Sequence, residues 1–257
     1  MTLTIARQMF IAELLKLRRQ RAVMAVGTFL SVGVVVIFMG YLQLRHASNP
    51  AKYGPAGGLE AFKHLLRALG YFFGVLLATL IGAEAGTTDA SSGVFRDLVA
   101  TGRSRLALFF VRVPAAVALT LALSAVAYGL GVLATFAFAG GRPTPSVSLV
   151  LQGAGWIALA DVAMSTLAVG IGALTGSRAV TLISLVGLQA IVTPLLVNVG
   201  SLGAARDVLL NPALGQLVPY GGGLGVAMAT GVAVAVVVGW TAIPAAIGAW
   251  RTNTRDA

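Results

Sequence analysis

The chain has 257 residues, of which 58% are hydrophobic and only 10% are charged. Soluble domains usually carry about 25% charged residues, so the composition excludes an ordinary soluble protein and indicates that lipid surrounds much of the chain. The net charge of +10 does not indicate nucleic-acid binding, because the basic residues lie at the ends of apolar runs and form no continuous face. The absence of cysteine excludes disulfides and thiolate metal sites.

Residues 1–21 are predicted to form an amphipathic helix on the membrane surface. Leu3, Phe10, Leu14 and Leu17 recur at helical spacing and would form one apolar stripe. A basic amphipathic helix directly before an apolar run is typical of the cytosolic headgroup layer. The alternative is a charged flank that only fixes the topology. The polar residues predicted on the other side are Gln8, Glu13, Lys16, Arg19 and Gln20.

Six apolar segments follow, and a membrane-spanning helix needs about 20 such residues. The first is too long for the apolar core of a cleaved signal peptide, so we expect it to be retained. Between the last two, residues 202–220 contain Pro212 and Pro219, which interrupt helices and predict a re-entrant segment of short pieces at the outer face. The six segments are 22–44, 68–85, 106–140, 147–175, 179–200 and 222–250. The predicted fold is an all-α polytopic membrane protein, in which residues 22–257 form one six-span transmembrane domain.

The distribution of basic residues predicts the orientation. Of the 18 Lys and Arg residues, twelve lie on the side of the N-terminus when six spans are counted, and six lie on the other. Positively charged residues favour the cytosolic side. We therefore expect a multi-pass protein of a prokaryotic inner or plasma membrane, with both termini in the cytosol and the 45–64 loop outside.

The segment 84–105 would then be cytosolic, and it carries six charged residues around a short apolar patch. Thr87-Thr88-Asp89 and Ser91-Ser92 are candidate N-caps, and Gly102 stands where a left-handed residue often ends a helix. A helix over about 89–101 is too short to be stable alone in water. Its apolar face must be buried, and from the residues alone the membrane and a partner protein are both open. The predicted contact face is Val94, Phe95, Leu98 and Val99.

The order of residues in this segment resembles the first cytosolic loop of ABC-2 type transporter permeases. The matching pattern is Glu84-x-Gly86-Thr87, then Leu98, then Gly102-x-Ser104-Arg105, with Arg112 seven residues on. Thr101-Gly102 stands where that family often has proline, Arg112 where it often has lysine, and Val94-Phe95 where it has leucines. The resemblance implies an exporter subunit whose coupling helix contacts an ATPase. The coupling residues it implies are Glu84, Gly86, Thr87, Val94, Phe95, Leu98, Val99, Arg103 and Arg105.

The same resemblance implies partners and places ATP hydrolysis elsewhere. The three lysines, Lys16, Lys52 and Lys63, lack the glycine and Ser or Thr context of a P-loop. No cofactor is therefore expected on this chain, and ATP and Mg²⁺ would bind two ABC ATPase subunits. Six spans would form half of a pathway, so a second permease copy or a homologue is expected to pair with it in the lipid bilayer. Three Gly-x-x-x-Gly patterns, at 70/74, 82/86 and 172/176, could allow close helix approach, although a chain with 32 glycines contains such matches by chance.

Polar residues within the apolar segments are the remaining candidates for function. Asp161 is the only carboxylate near the middle of a span, where charge must be paired or face water. We favour a structural role in which a protonated Asp161 bonds Ser165 or a neighbouring helix. The alternative is the ion or proton site of a secondary transporter or channel. Tyr71, Phe72 and Asn198 are candidate pathway residues, and packing or interfacial anchoring would account for them equally well. The sequence predicts no catalytic or metal site and does not identify the substrate.

Overall fold

The computed structural model describes residues 3–91, 93, 99–100, 102–221, 226 and 228–254. These residues form helices and connecting segments, with no strand among them. The helices are α1 (Leu3–Arg19), α2 (Arg21–Ser48), α3 (Leu59–Arg67 continuing through Ala68–Phe73 and Gly74–Ser91), α4 (Arg105–Ala137), α5 (Val147–Thr175), α6 (Arg178–Asn198), α7 (Leu210–Gln216) and α8 (Thr230–Thr254). Six of them, α2 to α6 and α8, are long and apolar enough to cross a membrane. This confirms, for the described residues, the predicted all-helical architecture with six helices long and apolar enough to cross a membrane.

Serine caps set where three of the long helices begin. The hydroxyl of Ser104 accepts a hydrogen bond from the Ala107 amide at 3.1 Å, and Ser146 and Ser177 accept equivalent bonds at the starts of α5 and α6. Such caps satisfy amide groups that have no partner within the helix. Gly176, with φ of +66°, ends α5 in the left-handed conformation.

Three of the long helices contain a π-helical segment that the sequence did not predict. The segments are Phe29–Gly33 in α2, Ala68–Phe73 in α3 and Leu188–Val192 in α6. In α2 the Ser31 hydroxyl donates to the Gly27 carbonyl at 2.8 Å. Single π turns within α-helices are rare and often lie at functional sites.

Helix α3 is longer than predicted at both ends. It begins at Leu59 rather than at 68, because Phe62, Leu65 and Leu66 bury one face of the added turns. The loop predicted to lie outside is therefore restricted to 49–58. At its other end α3 continues to Ser91, so the prediction that residues 87–89 cap a new helix is wrong.

The hydroxyls of Thr87 and Thr88 instead donate backwards along α3, at 2.7 Å, to the carbonyls of Ala83 and Glu84. The last long helix also differs from its prediction, since α8 begins at Thr230 rather than 222 and ends at Thr254 rather than 250. Glycines crowd the sequence before it and weaken helix formation there.

Helix α5 lies at the centre of the bundle, against α3, α4 and α8. Glycine permits two of these contacts. A Cβ atom at Gly86 of α3 would lie 2.6 Å from the Val169 carbonyl oxygen, and one at Gly248 of α8 would lie 2.7 Å from the Gly170 carbonyl oxygen. From the sequence alone the 82/86 glycine pattern could be a chance match, yet both of its glycines lie directly against α5.

Between α6 and α8 the chain forms short pieces, a 3₁₀ segment Gly200–Val208 followed by α7. The apolar residues of α7 are buried. Two indole groups hold these pieces, since Trp156 donates to the Leu214 carbonyl at 2.8 Å and Trp240 to the Val208 carbonyl at 2.7 Å. Protein therefore covers α7, whereas the 3₁₀ segment Gly200–Val208 has no buried residue.

Most of the apolar stripe predicted for α1 packs against other helices of the chain. Leu17 is fully buried, and Phe10 and Leu14 pack on the same cluster, which includes Phe109 and Leu119 of α4. Leu3 is 91% exposed and does not take part. The sequence did not predict this packing, in which α4 presents an apolar surface that the stripe covers. Ile11 and Leu15 of the same helix are exposed.

Candidate coupling region and intramembrane polar site

A buried carboxylate joins three helices at the end of the bundle next to α1. Asp89, in the last turn of α3, accepts from Lys16 of α1 at 2.8 Å and from Arg112 of α4 at 2.7 Å. The side chains of Asp89 and Arg112 are each 3% exposed. Glu13 pairs with Lys16 along α1, so acidic and basic groups alternate. We call Glu13, Lys16, Asp89 and Arg112 the ionic network.

A second ion pair lies nearby, between α3 and α6. Glu84 is buried, and its carboxylate forms an ion pair with Arg178 at 2.8 Å and accepts a hydrogen bond from the Thr88 hydroxyl at 2.8 Å. Arg178 is the first residue of α6 and is partly exposed. This pair ties the start of α6 to the same region of α3 as the ionic network.

Of the residues implied for coupling, Gly86 and Thr87 have packing roles. Gly86 lies against Val169 and Gly172 of α5, and the Thr87 methyl group borders Gly172 as well. Thr87 is 2% exposed. These two residues therefore face the interior of the bundle and would act on a partner only by positioning α3.

The predicted contact face lies mostly outside the described residues, since Val94, Phe95 and Leu98 are among those that the structure does not describe. Val99 is half-buried. Gly102 has φ of +80°, and its amide donates to the Val99 carbonyl at 3.0 Å, which agrees with the predicted left-handed glycine. Arg103 is exposed, and Arg105 donates to the Asn253 carbonyl at 3.2 Å, which links the start of α4 to the end of α8.

These contacts bring the C-terminal ends of α1, α3 and α8 together with the starts of α4 and α6. The loop between α3 and α4 leaves this region at Ser91 and returns at Arg105, with the ionic network beneath both ends. Buried ion pairs with good geometry fix relative position, because moving one partner exposes the other as an uncompensated charge. A displacement of the loop would therefore be passed to α1, α3 and α4 together.

Asp161 lies in the interior of α5 and is 2% exposed. It lines a cavity of about 160 Å³ between α4 and α5, together with Ser124 and Tyr128. Ser165 does not bond Asp161 as predicted, because its hydroxyl donates to Thr120 of α4 at 3.1 Å. Among the described residues the Asp161 Oδ2 and the Ser124 hydroxyl have no hydrogen-bond partner within bonding distance. Asp161 would have to be protonated, or its charge would have to be compensated by a cation or water in this cavity.

The other predicted pathway residues do not share one environment. The Tyr71 ring packs edge-on against Trp156 at 5.2 Å between centroids, whereas Phe72 is 49% exposed on the opposite side of α3. Asn198 is exposed, and its amide donates to the Pro194 carbonyl of its own helix at 2.7 Å. Tyr71 and Asp161 face the interior of the bundle, and the structure does not bring all four residues together.

The ion pairs of Lys16, Arg112 and Arg178 were not predicted from the sequence. A signal existed for Arg112, because an arginine eight positions into an apolar helix requires a counter-charge. Nothing local identifies Asp89 as its partner, since Asp89 lies 23 positions away on another helix. Among the described residues, no group of three or more His, Asp or Glu side chains is placed to hold a metal ion.

Comparison with known proteins leaves the chain unassigned. No family model matches it, and neither the curated proteins nor the solved structures contain a match.

Proposed function

We propose that this chain is the permease subunit of an ATP-binding cassette exporter of the ABC-2 type. Two features of the sequence support this: the Glu84–Arg105 pattern and the six spans preceded by an amphipathic helix. ATP and Mg²⁺ would bind two partner ATPase subunits, and a second permease copy or a homologue would complete the pathway. The termini and the 84–105 segment would lie in the cytosol of a prokaryotic cell.

The observation that carries the proposal is the ionic network beneath the loop. Lys16, Asp89 and Arg112 tie the N-terminal helix to both helices that flank the loop. In an ATP-driven exporter the loop receives force from the ATPases, and that force must reach several spans at once. The network and the Glu84–Arg178 pair supply rigid connections to α1, α3, α4 and α6.

The mechanism follows from these connections. Nucleotide-driven closure of two ATPases would draw the two loops together, each moving with its own α1, α3 and α4. Helix α3 would transmit the displacement to α5, because glycines let the two backbones touch at Gly82 and Gly86. The two halves would then rock and release substrate outward. This chain contributes binding surface and motion, and the partner subunits contribute the hydrolysis.

The direct experiment is co-purification of this chain with ABC ATPases from the same cell. Changing Val94, Phe95 and Leu98 to Asp places three charges on the predicted contact face and should abolish binding. Leu3→Asp is the matched control, because it adds a charge at an exposed apolar position of α1 and should leave binding intact. An ATPase that binds the triple variant as well as the wild type would rule out the docking assignment.

Asp161 supports a second candidate, an ion- or proton-coupled secondary transporter or channel. The carboxyl group is buried in a cavity with an oxygen that lacks a protein partner among the described residues. Proteoliposomes distinguish the two functions. Uptake that follows a proton or sodium gradient without ATP, and is lost in Asp161→Asn, would favour this candidate over the exporter.

A further inference from the structure

A groove between α2 and α3 has a basic end and an apolar end. The basic end is a cavity of about 340 Å³ at the loop 49–58, lined by Arg45, Lys52 and Arg142. The only carboxylate in its lining, Glu60, pairs with Lys63 at 2.7 Å. The cavity therefore has a surplus of fixed positive charge. This end of the bundle is opposite to the ionic network.

Contacts within the loop hold these cations in place. The Arg45 guanidinium lies 4.0 Å from the centre of the Tyr53 ring, and its hydrogen bond lowers the pKa of the Tyr53 hydroxyl. Arg142 donates to the Pro55 carbonyl at 3.3 Å. The loop backbone is in turn fixed to the α4–α5 connection, because the amide of Gly57 donates to the Phe138 carbonyl at 2.8 Å. The positive charge is thus presented by an ordered loop.

The apolar end continues directly from the basic one. It is a cavity of about 300 Å³ between the same two helices, and His64 lines both cavities. Buried side chains of Val35, Met39, Leu65 and Leu69 line it, and the half-exposed Phe38 is at its edge. The α3 side of this end includes part of the π segment Ala68–Phe73, and the α2 side begins at Val34, directly after the other π segment. Two uncommon helical turns therefore meet at its inner end.

The length of the groove matches one leaflet of a bilayer. Its α2 side extends from Val34 to Arg45, twelve residues whose eleven steps rise about 16 Å along an α-helix. Half of the hydrocarbon core of a bilayer is about 15 Å. A groove of that length, apolar at its inner end and positively charged at the level of the headgroups, matches an anionic amphiphile. A partner helix would leave the cationic end without a counter-charge.

We propose that the groove is a binding site for an anionic phospholipid of the leaflet opposite the N-terminal helix. The phosphate lies between Arg45 and Arg142, and Lys52 contributes from the loop. One acyl chain lies along Phe38, Leu65 and Ala68 towards Phe73. The site does not depend on the exporter assignment, because it is built only from the loop 49–58 and the adjoining helices.

Native mass spectrometry of the purified full chain tests the site with three probes. The probes are dioleoylphosphatidylglycerol, dioleoylphosphatidylcholine and glycerol 3-phosphate without acyl chains. Phosphatidylglycerol should be retained in preference to phosphatidylcholine, and glycerol 3-phosphate should not displace it. Each of Arg45→Gln and Arg142→Gln should weaken retention of phosphatidylglycerol by about fivefold, since one basic residue near anionic lipid contributes roughly that factor.

The apolar end has its own test. Ala68→Phe fills the groove and should abolish retention of phosphatidylglycerol, whereas Val126→Phe, at an exposed position of α4, should not. Arg206→Gln removes a charge away from the groove and is the control for the arginine variants. Arg45→Lys keeps the charge and should restore retention if Arg45→Gln lowers it.

Three results would overturn the proposal. The first is equal retention of the two phospholipids, and the second is displacement by glycerol 3-phosphate, which would indicate a site for soluble anions. The third is an equal loss in Arg206→Gln or Val126→Phe, which would indicate a general effect on the fold. Thermal unfolding of each variant in lipid-free detergent shows whether it is folded.

Discussion

At Asp89 a buried carboxylate lies between cations from two other helices. Asp89 and Arg112 are each 3% exposed, and their charged atoms are 2.7 Å apart. Removing one partner of a buried pair is far more costly than removing an exposed one, because the remaining charge stays in a medium of low dielectric. Asp89 is therefore the single residue whose charge most affects the assembly of α1, α3 and α4.

Asp89→Asn should lower the free energy of unfolding by about 3 kcal/mol. The neutral amide cannot compensate the Arg112 guanidinium, which stays buried in α4. The measurement is thermal or denaturant unfolding of the purified chain in detergent. Adding Arg112→Met to Asp89→Asn should recover part of the loss, because the buried charge is then absent as well.

Glu60→Gln is the matched control for that prediction. Glu60 also forms an ion pair, with Lys63 at 2.7 Å, but its side chain is 69% exposed. Its loss should change the free energy of unfolding by less than about 1 kcal/mol. Equal effects of the two substitutions would show that Asp89 is solvated and that the ionic network does not hold the helices.

At the scale of elements, α3 and α5 touch through glycine backbones, and this contact would carry motion from the loop into the core. A Cβ atom at Gly86 would lie 2.6 Å from the Val169 carbonyl oxygen, whereas one at Gly155 of α5 would meet nothing within 4 Å. The same substitution at these two positions should therefore have effects of opposite sign.

Gly86→Ala should destabilise the fold by about 1–3 kcal/mol, because the added methyl group forces two backbones apart. Gly155→Ala should be neutral or stabilise the fold by up to about 1 kcal/mol, because alanine favours a helix more than glycine does. Thermal unfolding of the two variants in one detergent gives both values. A stabilising effect of Gly86→Ala would mean that α3 and α5 are not in backbone contact.

The sequence predicts the bounds of a helix well where the residues that set those bounds lie close to it in the chain. The bounds of α5 coincide with the predicted 147–175, because Ser146 and Gly176 cap it within the sequence. The extension of α3 to Ser91 was missed, since Asp89 is satisfied by Lys16, which lies 73 positions away. The π segments were also missed, because nothing local in Phe29–Gly33 or Ala68–Phe73 distinguishes them from ordinary apolar helix.

The candidate site likewise combines residues that local signals identify with neighbours that come from distant parts of the chain. Glu84 was identified from the resemblance of its segment, and Asp161 because a carboxylate in the middle of an apolar segment is unusual. The partner of Glu84 could not be predicted, since Arg178 lies at the start of another helix and meets Glu84 only through the fold. The same is true of Ser124, which shares a cavity with Asp161. The face of α1 was predicted correctly as a stripe, but its target was not, because the apolar surface of α4 that covers Leu17 is formed by tertiary packing.

At the scale of the whole molecule, the account requires that the ionic network and the loop 49–58 face opposite sides of the membrane. The chain has no native cysteine, so single cysteines can be placed at the exposed Lys52 and Arg103. In intact cells an impermeant maleimide should label Lys52→Cys and not Arg103→Cys, and permeabilised cells should show both. The reverse pattern would contradict the distribution of basic residues as a guide to the orientation.

The central claim is that this chain works as half of a pathway driven by separate ATPases. Native mass spectrometry of the chain, co-expressed with the ABC ATPase that co-purifies with it and reconstituted in nanodiscs, tests it most directly. The account predicts a complex with two permease subunits, each of 26.2 kDa if both are this chain, and two ATPase subunits. Replacing Val94, Phe95 and Leu98 with Asp should release the ATPases and leave the permease subunits. A chain that assembles and transports without any ATPase would contradict the account.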